Sequence, residues 1–204
     1  MLEVQDLECW RGDHLCFTGL SFKVEPGELL HVKGHNGSGK TTLLRTLCGL
    51  MVPEQGKILW KGAPIRRLGE DYHQELTYIG HLNGVKDDLT GLENLRIAMQ
   101  LSGLAYDMDK LRAALQRIGL AGREELPAKV LSQGQRRRVA LARLLLSRAK
   151  LWILDEPYTA LDVAVIEVMR NVIAEHLENG GMVILTTHQD VDIEGVVRQL
   201  NLGQ

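Results

Sequence analysis

A chain of 204 residues with 45% hydrophobic and 25% charged residues has the makeup of one globular domain with a buried core, and leaves no room for a second full domain. Its formal net charge of -2 and isoelectric point near 6.4 exclude a broad basic footprint for nucleic acid or anionic lipid. The three cysteines, Cys9, Cys16 and Cys48, are odd in number and lack paired CxxC spacing, which excludes a disulfide scaffold and reads as reduced thiols.

The first residues, Met1-Leu-Glu-Val-Gln-Asp6, carry acids where a secretory leader carries basic residues, so the chain is expected to stay in the cytoplasm. Short β-prone runs bounded by Gly, Pro or acids occur at 22–24, 29–32, 57–60, 76–79, 151–154 and 182–186. Several are apolar on both faces, as buried parallel strands are. They are also far shorter than the ~20 apolar residues that cross a bilayer. Helical periodicity is read at 40–48, 92–101, 109–118, 133–147 and 163–178. Strands alternating with helices predict an α/β domain with a mainly parallel sheet. Residues 82–146 interrupt that alternation with three helical patterns and no strand. They are expected to form a helical subdomain inserted into a single domain spanning 1–204.

Between the strand ending at Val32 and the helix opening at Lys40 runs Gly34-His35-Asn36-Gly37-Ser38-Gly39-Lys40-Thr41-Thr42, which matches the phosphate-loop pattern G-x-x-x-x-G-K-[ST] in its confirming context. This makes the core a P-loop NTPase. Glycines let the backbone curl so that successive N–H groups surround phosphate oxygens, and the helix N-terminus adds its positive end. Lys40 is expected to reach the β- and γ-phosphates and Thr41 to ligate magnesium. Leu151-Trp-Ile-Leu-Asp155-Glu156 is an apolar strand ending in two acids: Asp155 is assigned to magnesium and Glu156 to the attacking water.

Leu131-Ser132-Gln133-Gly134-Gln135 opens the fourth helical run. Its S-x-x-Q spacing alone reads first as a capping box, an ordinary helix start. The alternative is that Ser132, Gly134 and the helix end donate to a γ-phosphate across a subunit interface. The following Arg136-Arg137-Arg138 reads first as a solvated helix face. Taken alone, His188 reads as a strand-end histidine and Trp10 as core. His14, His31, His73 and His176 read as surface or structural residues.

In this order the motifs resemble one family, the ATP-binding subunits of ABC transporters, with LSQGQ in place of the commoner LSGGQ. The resemblance implies a head-to-tail homodimer in which Ser132, Gly134 and Gln135 contact ATP bound to the other copy. It makes Ala160-Leu161-Asp162 a loop crossing the interface, His188 a switch residue at the γ-phosphate, and Trp10 a platform for adenine. His81 occupies the position of the usual glutamine near the magnesium-bound water. ATP and Mg2+ are the implied cofactors and Lys40, Glu156 and His188 the catalytic set.

Within the family, Gly80-His81, the segment 151–160 and Ile184-Leu-Thr-Thr-His-Gln189 resemble the ATPase subunits of bacterial cytochrome c maturation systems. That implies a peripheral position at the cytoplasmic face of the inner membrane, with a multi-spanning membrane subunit and haem-handling membrane proteins as partners. The work would be haem export or release of a haem-loaded chaperone. Three other classes share part of the pattern. A DNA-linked ATPase needs long heptads or a four-cysteine zinc site that this chain lacks, and no nucleic-acid partner is expected. A non-hydrolysing regulatory nucleotide binder leaves Glu156 and His188 without work. A small-molecule kinase leaves LSQGQ without a role.

Overall fold

The first strand, β1 (Leu2–Arg11), turns Leu2, Val4, Leu7 and Cys9 inward. The alternation changes phase between Val4 and Leu7, where Asp6 takes a φ of 46° and the pairing register shifts. Ser21 Oγ holds this bulge, accepting from the Asp6 N–H at 2.8 Å and donating to Asp6 Oδ1 at 3.1 Å. A bulge of this kind hides the period-two signal, which is why the acidic N-terminus did not read as a strand. β1 pairs antiparallel with β2 (His14–Val24) on one side and β4 (Gln55–Trp60) on the other. Together with the short β5 (Ala63–Pro64) they make a sheet of order β2-β1-β4-β5. The runs at 22–24 and 57–60, expected in a mainly parallel sheet, therefore belong to a separate antiparallel one.

The computed structural model describes residues 1–189, 193 and 195–203. Its second sheet has the order β6-β7-β8-β3-β9, built from β3 (Glu28–Lys33), β6 (Leu76–Ile79), β7 (Leu151–Asp155), β8 (Met182–Thr186) and β9 (Val196–Asn201). β3 pairs parallel with β8 and β9, and β7 parallel with β8. Every residue of β7 and β8 is buried, as expected for parallel strands covered on both faces. β9 is a polar edge strand with mostly exposed residues, and its weak pattern left no sequence signal. From the carboxyl end of β3 the chain enters α1 (Lys40–Leu47), whose Leu43, Leu44 and Leu47 are fully buried. They join one apolar cluster with Val4 and Leu7 of β1, Val32 of β3, Ile153 of β7 and Ile184 of β8.

The chain divides into two units. The first holds Met1–Tyr78, Ala149–Glu156 and Ala174–Gln204, including both sheets, α1 and the short α2 (Ile65–Leu68) and α3 (Glu70–Gln74). The second, Ile79–Arg148 with Pro157–Ile173, holds α4 (Gly91–Leu101), α5 (Met108–Arg117), α6 (Gln133–Ala142) and the first part of α7 (Val163–Glu178). Thr90 and Glu93 close a capping box at the start of α4, and Asp107 caps α5. Leu95, Leu111, Leu115 and Leu141 form the buried seams of these helices. The helix expected over 133–147 stops at Ala142 and tightens into a 3-10 turn at Leu144–Leu146, a frequent way for a helix to end.

The arginine run is not a solvated face. Arg137 is 4% exposed, and its Nη1 donates to the Gly80 carbonyl at 2.7 Å and to Asn83 Oδ1 at 3.2 Å. Its neighbours are engaged too, Arg136 with Asp87 and Arg138 with Asp162. Three adjacent helical residues span most of a turn, so one of them must face inward. A guanidinium can do so when backbone carbonyls receive its protons.

In the first unit, Trp152 of β7 and His176 of α7 stack with ring centroids 3.7 Å apart and planes 4° off parallel. Burial pushes the His176 imidazole down to about 4 from 6.5, so the folded chain holds it neutral. The unfolded chain binds the proton first as pH falls, so this contribution to stability is complete above pH 6.5 and is lost from there down to about pH 4. We expect the stability of the wild type, measured by urea unfolding against His176→Phe as the reference, to fall by about 1–2 kcal/mol from pH 7.5 to pH 5. A difference that stays flat over that range contradicts a buried neutral imidazole.

Candidate functional site

The phosphate loop begins where β3 ends, and its geometry follows from its glycines. Gly39 caps α1 with φ 92° and ψ 9°, a left-handed conformation that side chains resist. Its carbonyl accepts the Leu43 N–H at 2.8 Å, the first bond of the helix. A Cβ on Gly34 would stand 2.4 Å from Ser38 Oγ and 2.7 Å from the Leu202 carbonyl, so only glycine fits. Lys40 folds back over the loop, donating to the Gly34 carbonyl at 2.7 Å and to the His35 carbonyl at 3.1 Å.

Strand β7 delivers both acids to this loop. Thr41 Oγ1 donates to Asp155 Oδ2 at 2.9 Å, which ties α1 to the end of β7 across 114 residues of sequence. The other carboxylate oxygen of Asp155 accepts from Thr186 Oγ1 at 2.8 Å, and the Thr186 hydroxyl accepts the Glu156 N–H at 3.0 Å. Asp155 is 3% exposed and Thr186 fully buried. Glu156 follows β7 in a left-handed conformation, φ 50°. One of its carboxylate oxygens lies 3.5 Å from His188 Nε2, just beyond the end of β8. His188 remains largely exposed, so its ring is free to meet a ligand.

Gly34 through Thr42, Asp155, Glu156 and His188 thus belong to one unit and cluster at the carboxyl ends of β3, β7 and β8. That is where an open parallel sheet presents its binding crevice. Trp10, at the far end of β1 in the same unit, is 42% exposed, and its indole N–H donates to Glu8 at 2.9 Å. Its flat face is available. Its pairing partner on β2 is Leu15, and the next residues of that strand, Cys16 and Phe17, pack against Gly39.

Ser132, Gly134, Gln135, Asp162 and His81 lie in the second unit. The capping box is real: Ser132 Oγ accepts from Gln135 N at 3.2 Å and Gln135 Oε1 from Ser132 N at 2.9 Å. A Cβ on Gly134 would stand 2.4 Å from the Ala160 carbonyl, so this glycine lets the start of α6 lie against the turn at Ala160. Asp162 Oδ1 accepts the Val165 N–H at 3.0 Å. That bond, with Arg138 beside it, holds its carboxyl below the usual range. His81 is exposed in the loop after β6.

Two residues were given no role in the site from sequence. Thr186 connects the Asp155 carboxylate to the Glu156 backbone, and its only signal was its place two residues before His188. His31, read as structural, is 3% exposed, and its Nε2 lies 3.2 Å from the Thr187 carbonyl. A carbonyl only accepts, so that nitrogen carries the proton. Burial lowers the pKa of the ring and keeps it neutral. We expect Thr186→Val, which keeps the shape and removes the hydroxyl, to lower kcat for ATP hydrolysis roughly 10–100-fold with little change in ATP affinity. Phosphate-release assays beside nucleotide titrations check this, and an unchanged kcat would separate Thr186 from the site.

Residues 17–159 match the family model described as ABC transporter. The chain belongs to the ABC transporter family. It is 61% identical to the "Cytochrome c biogenesis ATP-binding export protein CcmA" of Nitrosomonas europaea over 94% of this chain and 90% of that protein. It therefore falls among the ATP-binding subunits of ABC transporters, and as an ABC ATPase it binds and hydrolyses ATP. A solved structure described as an ATP-binding subunit of an ABC transporter superposes with a TM-score of 0.84 at 29% identity, covering 92% of this chain and 79% of that one. The dimeric ATP-binding cassette MJ0796, solved with ADP and phosphate after hydrolysis, shares the ABC fold with a TM-score of 0.85 at 21% identity, covering 100% and 97% of the two chains.

Proposed function

We propose that this ABC ATPase drives a multi-spanning membrane subunit in cytochrome c biogenesis, at the cytoplasmic face of the bacterial inner membrane. The reading rests on the 61% identity to a cytochrome c biogenesis export protein along nearly the whole chain. No helix among the described residues is long and apolar enough to cross a membrane, so attachment would come through the partner. Haem-handling maturation proteins complete the complex, and the work performed is haem export or release of a haem-loaded chaperone. In this reading the chain is one ATP-binding domain with its helical subdomain inserted at about 82–146.

Two copies close head to tail over two ATP molecules. The loop Gly34 to Thr42 of one copy holds the triphosphate while Trp10 stacks on the adenine. The other copy adds Ser132, Gly134 and Gln135, with Asp162 in the loop that crosses the interface. The N-terminus of α6, opened by Ser132, would offer its backbone N–H groups to a phosphate. The Thr41 hydroxyl and Asp155 carboxylate, 2.9 Å apart, suit a hard cation that takes oxygen ligands and keeps several waters, as Mg2+ does. His81, in place of the family's usual glutamine, would act on that ion's water shell. Magnesium, when bound, neutralises charge on the β- and γ-phosphate oxygens.

Glu156 accepts the proton of the attacking water, and Lys40 and His188 stabilise charge on the transferring phosphoryl group. The Glu156–His188 approach of 3.5 Å supports a shared γ-phosphate end for the base and the switch histidine. Loss of the γ-phosphate removes the bridge between copies, and the pair reopens.

The test is recovery of tagged protein from gently solubilised bacterial membranes, with identification of co-purifying proteins. A multi-spanning subunit together with cytochrome c maturation proteins is the expected result. A different permease would leave the ATPase chemistry standing and end the cytochrome c assignment.

A further inference from the structure

Behind the phosphate loop, within the first unit, lies a cavity of about 380 Å3. Lys40 and His188, the two residues that the proposed chemistry places on the γ-phosphate, line it. Lining it too are residues with no part in that chemistry: His31 and Lys33 of β3 and Gln199 of β9. Parallel pairing sets His31 directly beside Gln199, and Lys33 two pairs further toward the carboxyl end, beside Asn201. Among the described residues, no aspartate or glutamate lines the cavity. Two ammonium groups, two amides and two imidazoles of the described residues therefore face a common space.

From this arrangement we infer that the cavity receives the inorganic phosphate released by hydrolysis, as a holding site on its way out past Lys33 and Gln199. The inference rests on the ATPase reading of Lys40 and His188. Its physical basis is complementarity. ADP still fills the nucleotide side of the loop when the bond has broken, so the phosphate leaves from the other side, where its own former ligands line the cavity. Monohydrogen phosphate carries several acceptor oxygens and one O–H donor. Lys33 and the Gln199 amide donate to the former. His31 is neutral with its proton on Nε2, given to the Thr187 carbonyl, so Nδ1 is an acceptor for the latter. Sulfate at neutral pH has no proton to give and is matched less well.

The experiment is equilibrium dialysis of the full-length chain in Mg·ADP with radiolabelled inorganic phosphate, and labelled ADP in a parallel arm. Wild type, Lys33→Gln and Lys33→Arg are compared, with circular dichroism to verify folding. We expect wild type to retain phosphate, Lys33→Gln to weaken it roughly tenfold, and Lys33→Arg to restore most of it, with ADP affinity the same in all three. Excess sulfate should displace the label less well than excess phosphate. Equal phosphate retention by wild type and Lys33→Gln, or none by wild type while ADP binds, overturns the holding site and leaves the ATPase intact. Failure of ADP to bind would instead refute the nucleotide reading, and the inference with it.

Discussion

Glu156→Gln should reduce ATP turnover by a factor of roughly 100 to 10,000, the range a positioned general base contributes, while ATP affinity stays within about threefold. Glutamine keeps the size and hydrogen-bonding reach of the side chain but has no basic oxygen at working pH. The backbone that presents it, with φ 50° and its N–H held by Thr186, does not depend on the side chain's charge. Substrate is therefore held and not consumed. If ATP bridges two copies, the variant should accumulate with ATP at twice the 22.8 kDa monomer mass. Light scattering of the eluting protein and a coupled phosphate assay read both outcomes. Turnover within tenfold of wild type would falsify the assignment of Glu156 as base.

Lys40→Ala should act earlier in the cycle. Removing a charge-assisted contact to a phosphate is worth about 3 kcal/mol, or on the order of a hundredfold in ATP affinity. In the free protein the same ammonium ties together the carbonyls of Gly34 and His35. The empty loop should therefore also exchange its amide hydrogens faster in the variant. The core beneath should persist, because Leu43, Leu44 and Leu47 carry the packing of α1 and Lys40 does not. Calorimetric titration with ATP checks the affinity, and hydrogen exchange checks the loop. Nucleotide binding within threefold of wild type would remove Lys40 from the phosphate contacts.

The two variants separate the roles the sequence motifs assign. Glu156→Gln stops the chain after nucleotide binding, Lys40→Ala before it. Thr186→Val should resemble a mild Glu156 defect, because its hydroxyl touches the acids and not the phosphate loop.

What the sequence determined by itself was local or periodic. The phosphate loop is legible because its glycine spacing, the lysine and the strand and helix on either side are contiguous, and a nest of backbone N–H groups needs no distant residue to form. β7 and β8 are legible because burial on both faces leaves an unbroken apolar run. α7 was read with its observed limits, since helical periodicity over sixteen residues is a strong signal. What only the tertiary structure decided involves partners far apart in the chain. The bulge at Asp6 breaks the alternation of β1, so its place in an antiparallel sheet shows only once β2 and β4 lie beside it. Arg137 turned inward because the carbonyls of Gly80 and Pro157 wait there to receive its protons. Thr186 acquires its place from Asp155, 31 residues away, and His31 from Thr187, 156 residues away. A hydrogen bond requires a partner within about 3 Å, and distances between remote segments are set by packing rather than by local composition.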